Sequence, residues 1–252
     1  MTATLVTISN QKGGVGKTTT VTHLAHGLVL FGARRVLIVD LDPQGQSAVA
    51  LDVEQSPGVF SLLVAEQPPA SLVVQAREGL NILPGNKKTG AAQLAMSVDL
   101  ASYPMDYIGR VLRPVVNDYD YILFDTSPSV GGLQERAMWV SKWVIIPTST
   151  EFLSMDGLRQ TQGTMAALTE RGWKGKLLGV LPTFYDTQTR ESQAAIGELR
   201  TAFPKSLLSP IHRATILREC AANGRTAFEM YPRSRAAQDY QDLADFVLGR
   251  TT

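Results

Sequence analysis

Short apolar runs punctuate the chain at Thr4–Ser9, Arg35–Asp40, Leu80–Gly85, Tyr119–Asp125, Lys142–Thr148 and Gly175–Thr183. Each is rich in Val, Ile and Leu and shows little alternation, the pattern of a strand buried on both faces. A possible seventh lies near Ser206–His212. Helix-length segments separate them. In the first, Thr18–Gly32, the residues Val21, Leu24, Ala25 and Leu28 fall at helical spacing, and Gly32 is a plausible stop. Strands alternating with helices predict an α/β fold: a mostly parallel twisted sheet covered by helices on both faces. Glu66–Ser71 reads as a local loop. With no Gly-, Ser- or Pro-rich linker and no internal repeat, residues 1–252 are expected to form a single domain.

Composition changes little in this picture and excludes several classes. The chain is 44% hydrophobic and 19% charged, as soluble globular proteins are. Cys220 is the one cysteine, which rules out an internal disulfide and a cysteine-only metal site; it is expected to be buried. The first residues show no basic n-region of a signal peptide, and no apolar run reaches the ~18 residues of a membrane helix. The net charge of +1 hides an asymmetry. Residues 1–170 hold 12 basic and 15 acidic side chains, and residues 171–252 hold 12 and 8. The basic C-terminal third is therefore a candidate polyanion-binding face.

The densest chemistry lies in SNQKGGVGKTTTV, Ser9–Val21. A strand precedes it and a helix follows, the setting of a phosphate-binding loop. Gly13, Gly14 and Gly16 let the backbone approach phosphates, Lys17 supplies the counter-charge for the β/γ groups, and the Thr18 hydroxyl can ligate Mg²⁺. The general motif wants glycine six residues before Lys17, where Gln11 stands. The loop therefore opens at Lys12, as K-G-G-x-G-K-[ST].

That variant resembles the deviant-Walker ATPases that include ParA and MinD. Val36–Ser47, VLIVDLDPQGQS, is similar to the second ParA motif. Tyr119–Ser129 is similar to its Walker B strand, and Pro147–Leu158 and Leu181–Asp186 match further segments. The resemblance implies a weak ATPase using ATP and Mg²⁺, with Lys12, Gly13, Gly14, Val15, Gly16, Lys17, Thr18 and Thr19 holding the nucleotide. In the family the first lysine reaches across a nucleotide-sandwich homodimer to the partner's phosphates, which assigns Lys12 a charge role in trans, like that of an arginine finger. Asp125 ends an apolar strand, where a carboxylate needs a partner. The resemblance gives it Mg²⁺, held through water. It makes Asp42 the water-activating residue and leaves Asp40 to support the metal shell.

The family binds DNA nonspecifically through arginines of the C-terminal third. Where it often has Y-D-x-R-T this chain reads YDTQTR, and where it often has P-R-N-V-R-L this chain reads HRATIL and then Arg218. Arg190, Arg213 and Arg218 are the resulting candidates. The implied protein is cytoplasmic and nucleoid-associated. It partitions or positions a plasmid, chromosome region or protein cargo, with a ParB-like or other adaptor stimulating hydrolysis. The alternatives are a membrane-bound MinD-like ATPase, disfavoured by an acidic tail with Asp239, Asp242 and Asp245; an iron–sulfur reductase or carrier, disfavoured by the lone cysteine; and a gated binding module that scarcely hydrolyses ATP. His23 and His26 lack a third metal ligand, and Trp139 and Trp143 read as core or dimer-edge residues.

Overall fold

The computed structural model describes residues 3–129, 131–151 and 155–251. Phe152, Leu153 and Ser154, within the Pro147–Leu158 segment, lie outside the described residues. The strands are β1 (Thr4–Ile8), β2 (Val36–Asp40), β3 (Val74–Arg77), β4 (Leu80–Leu83), β5 (Tyr121–Asp125), β6 (Trp143–Ser149) and β7 (Lys176–Thr183). The helices are α1 (Lys17–Gly32), α2 (Gln46–Val49), α3 (Val59–Leu63), α4 (Thr89–Val98), α5 (Tyr107–Leu112), α6 (Gly132–Val140), α7 (Met155–Glu170), α8 (Arg190–Ala202), α9 (Ile216–Ala222), α10 (Ala227–Met230) and α11 (Arg235–Thr251).

The strands form one seven-stranded sheet in the order β3-β4-β2-β5-β1-β6-β7. Every pairing is parallel except β3 with β4. All six apolar runs become strands. The seventh strand is not where the sequence suggested. Val74–Arg77 forms an antiparallel edge through Gly79, whose φ of 74° lies in the left-handed region that glycine tolerates. The Ser206–His212 segment makes only isolated bridges, Val180 to Leu207 and Tyr185 to His212, because Pro210 brings no N–H to a ladder. It still covers the outer edge of β7.

Helices lie on both faces. One core cluster joins α1 and α11 to the sheet through Leu24, Leu28, Tyr240 and Val247. Another joins α3 to α6 on the opposite face through Leu62, Met96, Ile108 and Phe124. A third fills the space between β6, β7 and the flanking α7 and α8. β2 and β5 are buried along their whole length, which explains their unbroken apolar sequence. Trp139 and Trp143 are half-buried against these clusters, and Cys220 is buried.

The registers align the functional ends. Ile8 pairs with Asp125, and Asp125 with Asp40, so three adjacent strands finish level. Their carboxyl ends open beneath the loop that leads into α1, the place where open parallel sheets bind ligands.

Candidate functional site

The Gly13–Gly16 turn runs from β1 into α1. Gly16 takes φ 84° and serves as the N-cap residue, a conformation that an L side chain strains. Four elements hold the loop in place. The Asn10 side chain donates to the Pro147 carbonyl at 2.8 Å and accepts the Lys12 N–H at 2.9 Å. Thr183, at the end of β7, donates to the Val15 carbonyl at 3.0 Å. Gln134 of α6 donates to the Ser9 hydroxyl at 2.6 Å. The Gln11 amide reaches Thr164 of α7 at 2.9 Å, while its backbone N–H donates to Thr161. Glycine at position 11 could not make the Thr164 bond, so the departure from the general motif fastens the loop to α7.

Lys17 is buried, and its ammonium donates to the Lys12 carbonyl at 2.9 Å. Burial lowers its pKa, against the opposing charges of Asp125 and Asp42. Lys12 is half-buried at the start of the loop. Gly157 of α7 presses against it: a Cβ there would come within 2.8 Å of the Lys12 Cβ and 2.6 Å of the Asn10 side-chain oxygen.

Asp40 and Asp125 are both buried. The Asp40 carboxylate accepts the backbone N–H groups of Asp42 and Ser47, at 3.0 and 3.2 Å. Burial and the neighbouring Asp125 push its pKa well above the usual carboxylate range. Ser47 donates its hydroxyl to Asp125 Oδ2 at 2.8 Å, so this one serine touches both acids. Burial raises the Asp125 pKa to about 6, even though Ser47, Thr18 and Lys17 favour its anion. Asp125 Oδ1 is buried and meets no hydrogen-bond donor among the described residues. Two buried carboxylates side by side, with one oxygen unsatisfied, are costly without a cation. With the Thr18 hydroxyl nearby they form an oxygen-only donor set suited to a hard ion such as Mg²⁺. Among the described residues no group of three or more His, Cys, Asp or Glu could hold a metal alone. A bound ion would therefore need phosphate and water oxygens as well.

The chain turns after Asp40, as it must for two acids on either side of Leu41 to reach one site. Asp42 is half-buried and lines the cavity, and its carboxylate accepts the Gln44 N–H at 2.9 Å.

The cavity measures about 890 Å³. Gly13 to Thr19 without Val15, then Asp42, Ser127 to Ser129, and Phe184 line its phosphate side, and it extends to Ile211, Leu217, Arg218 and Arg225. Val15 itself is buried beneath the loop. Arg213 lines the same cavity and pairs with Glu151 at 2.9 Å; Arg218 is exposed on α9 and Arg190 on α8. The basic surplus of the C-terminal third does not share one face. Lys174 and Lys176 stand at the start of β7, whereas Thr183, at its other end, lines the cavity with the arginines. Eight strand residues, ~26 Å, separate those ends.

His23 and His26 have structural partners. His23 Nε2 accepts the Ala227 N–H at 3.0 Å, which leaves Nδ1–H to donate to the Thr19 carbonyl at 2.9 Å, and the ring stacks on Tyr240. His26 Nδ1 bonds the Thr226 hydroxyl. Sequence reasoning gave no role to Ser47, Gln134, Thr161 or Thr164. Ser47 was visible inside the second motif, but its contact with Asp125 spans 78 positions.

A family model described as "AAA domain" matches residues 3–177, and the chromosome-partitioning ATPase Soj of Thermus thermophilus is 34% identical over 97% of this chain and 95% of its own. The chain belongs to the ParA family of partition ATPases. Another family member, the chromosome partitioning protein ParA of Myxococcus xanthus, is 31% identical over 98% of this chain and 89% of its own. Among solved structures, cobyrinic acid a,c-diamide synthase from Mycobacterium smegmatis, with bound ATP analog and magnesium, superposes with a TM-score of 0.86 at 28% identity, covering 99% and 96% of the two chains. An ATP complex of a Cyanothece McdA variant has the same fold, with a TM-score of 0.87 at 22% identity over 98% and 96%. Among the described residues no helix of this ParA-family chain is long and apolar enough to cross a membrane.

Proposed function

We propose that this chain is an ATP-dependent dimerising ATPase that partitions or positions a cargo. The observation that carries the reading is the level pairing of Asp40 and Asp125 beside Lys17, with a carboxylate oxygen left unsatisfied. In this reading the loop from Lys12 to Thr19 binds the triphosphate, and Lys17 balances the β/γ charge. Thr18 and Asp125 would hold Mg²⁺, with Asp40 supporting the metal shell through the backbone N–H groups of Asp42 and Ser47 that it accepts. Bound there, Mg²⁺ would neutralise phosphate charge. Asp42 orients the attacking water from the cavity wall. Turnover is slow, since the site offers positioning and charge but no strong base.

Lys12 acts in trans. Its target is the triphosphate of a second copy, so dimerisation depends on ATP. The dimer binds DNA nonspecifically through basic side chains, with Arg190 and Arg218 exposed for it, and a partner protein triggers hydrolysis and release. Arg213 is the weaker DNA candidate, because it already faces Glu151. The relatives that partition chromosomes support the cargo class. Nucleotide titration with and without Mg²⁺ tests the core of the reading. Binding that needs neither Mg²⁺ nor Asp125 would contradict it.

A further inference from the structure

The helix α4 has no charged side chain from Thr89 to Val98. It buries Ala92 and Met96 beneath it, yet its outer face is largely apolar too, with Ser97 the polar exception, its hydroxyl donating back to the Gln93 carbonyl at 2.9 Å. Ala91, Leu94 and Val98 face solvent, and Leu94 is 66% exposed, Val98 76% and the adjacent Leu100 65%. A solvent-facing helix surface normally carries charge, and a contiguous exposed apolar patch marks a contact site.

The charges sit at the two ends instead, and each end has the wrong sign. Lys87 and Lys88 precede the first residue of α4, and Asp99 follows the last. The helix dipole disfavours cations at the N-terminus and anions at the C-terminus. Neither lysine makes an ion pair among the described residues. An antiparallel copy of the same helix would correct both ends. Its Asp99 end would lie beside Lys87 and Lys88, its own lysines would lie beside Asp99, and its apolar face would cover Leu94.

The helix also borders the candidate site. Its first turn packs on Pro43, since a Cβ at Gly90 would meet the proline ring at 3.8 Å. Gln93 donates to the Ser129 hydroxyl at 2.7 Å, and Pro43 and Ser129 both line the cavity.

We propose that α4 is a self-pairing face: a second copy lays its α4 antiparallel along this one, with the twofold axis near Leu94 and Ala95. Ala91 then lies opposite the partner's Val98, and the long Lys88 side chain reaches the partner's Asp99, which is offset by two positions or ~3 Å along the helix. Such a contact is isologous, so each charge pair occurs twice. The inference rests on the ATP-dependent dimer proposed above and adds a contact that touches no phosphate.

Sedimentation equilibrium with Mg²⁺ and a slowly hydrolysed ATP analogue tests it, beside a fluorescent-nucleotide titration of each variant. Leu94→Asp is expected to weaken the dimer at least about tenfold while nucleotide affinity stays at the wild-type value. Lys88→Glu and Asp99→Lys should each weaken it, and the double variant should recover most of the loss. Leu94→Cys should cross-link to its own copy under mild oxidation, with Cys220 buried and out of reach. A wild-type dimer indifferent to Leu94→Asp and to both charge reversals would overturn the α4 contact alone. A wild-type chain that stays monomeric with the analogue would overturn the dimer reading itself.

Discussion

Asp40 and Asp125 stand opposite each other at the ends of β2 and β5, and Ser47 bonds to both. Neither acid has a basic side chain as a hydrogen-bond partner among the described residues. Without a cation, ionising the second of them costs folding energy.

Asp125→Asn should therefore stabilise the nucleotide-free chain and abolish Mg²⁺-dependent nucleotide binding. The folded-state pKa of Asp125, about 6, lies above its ordinary value, so folding favours the protonated acid. The stability this gives is present below pH ~4 and is lost as pH rises through about 6. The amide does not ionise and escapes that loss. Its advantage should appear above pH 6, on the order of 1–3 kcal/mol and several degrees in Tm, and vanish near pH 4. Thermal melts across pH, without nucleotide, check it; a variant less stable than wild type at pH 8 would contradict it.

His23 works in the opposite sense. Burial lowers its pKa to about 4, against the raising effect of the Thr19 carbonyl, and its Nε2 accepts the Ala227 N–H. The unfolded chain binds that proton near pH 6.5 and the folded chain does not. Stability should fall as pH drops from about 6.5 towards 4, by roughly 3 kcal/mol in all. An imidazole NMR titration reads this directly: the His23 resonances should hold their neutral positions at pH 5.5. Protonation there with an intact fold would overturn the assignment of Nε2 as an acceptor.

Asp42→Ala should keep nucleotide affinity and dimerisation and lower kcat by about 10²-fold or more. Phosphate release beside light scattering measures both. Undiminished turnover would move the water-orienting role to another residue.

Gly157→Ala tests how α7 holds the loop. The new methyl would crowd Asn10 and Lys12 at 2.6 and 2.8 Å. We expect a loss of about 1–3 kcal/mol in stability, with weaker nucleotide binding, since the loop must shift to make room. Wild-type affinity would mean that α7 yields and the loop does not.

The parts legible in the sequence were those written in short stretches. The run YILFD reads as a strand because both of its faces are buried, and the loop reads as a phosphate site because its glycines, Lys17 and Thr18 are neighbours in the chain. β3 escaped because an edge strand need not be apolar: Val74–Arg77 holds two polar residues in four. Gln11 signalled the variant motif, but its bond to Thr164 spans 153 positions and has no local signature. The basic C-terminal third was visible as a count of charges. Its division between the two ends of β7 depends on the path of the chain and could not be counted.

Lys12 is the residue on which the proposed function turns. The Lys12→Ala variant keeps Lys17, Thr18 and the Gly13–Gly16 backbone, so a fluorescent-nucleotide titration should give near-native affinity. Two triphosphates would then face each other with less positive charge between them, which costs several kcal/mol in a poorly solvated interface. Equilibrium sedimentation of Lys12→Ala with ATP should give an ATP-bound monomer under conditions where the wild type is a dimer. A Lys12→Ala chain that dimerises with ATP as the wild type does would contradict the action of Lys12 in trans.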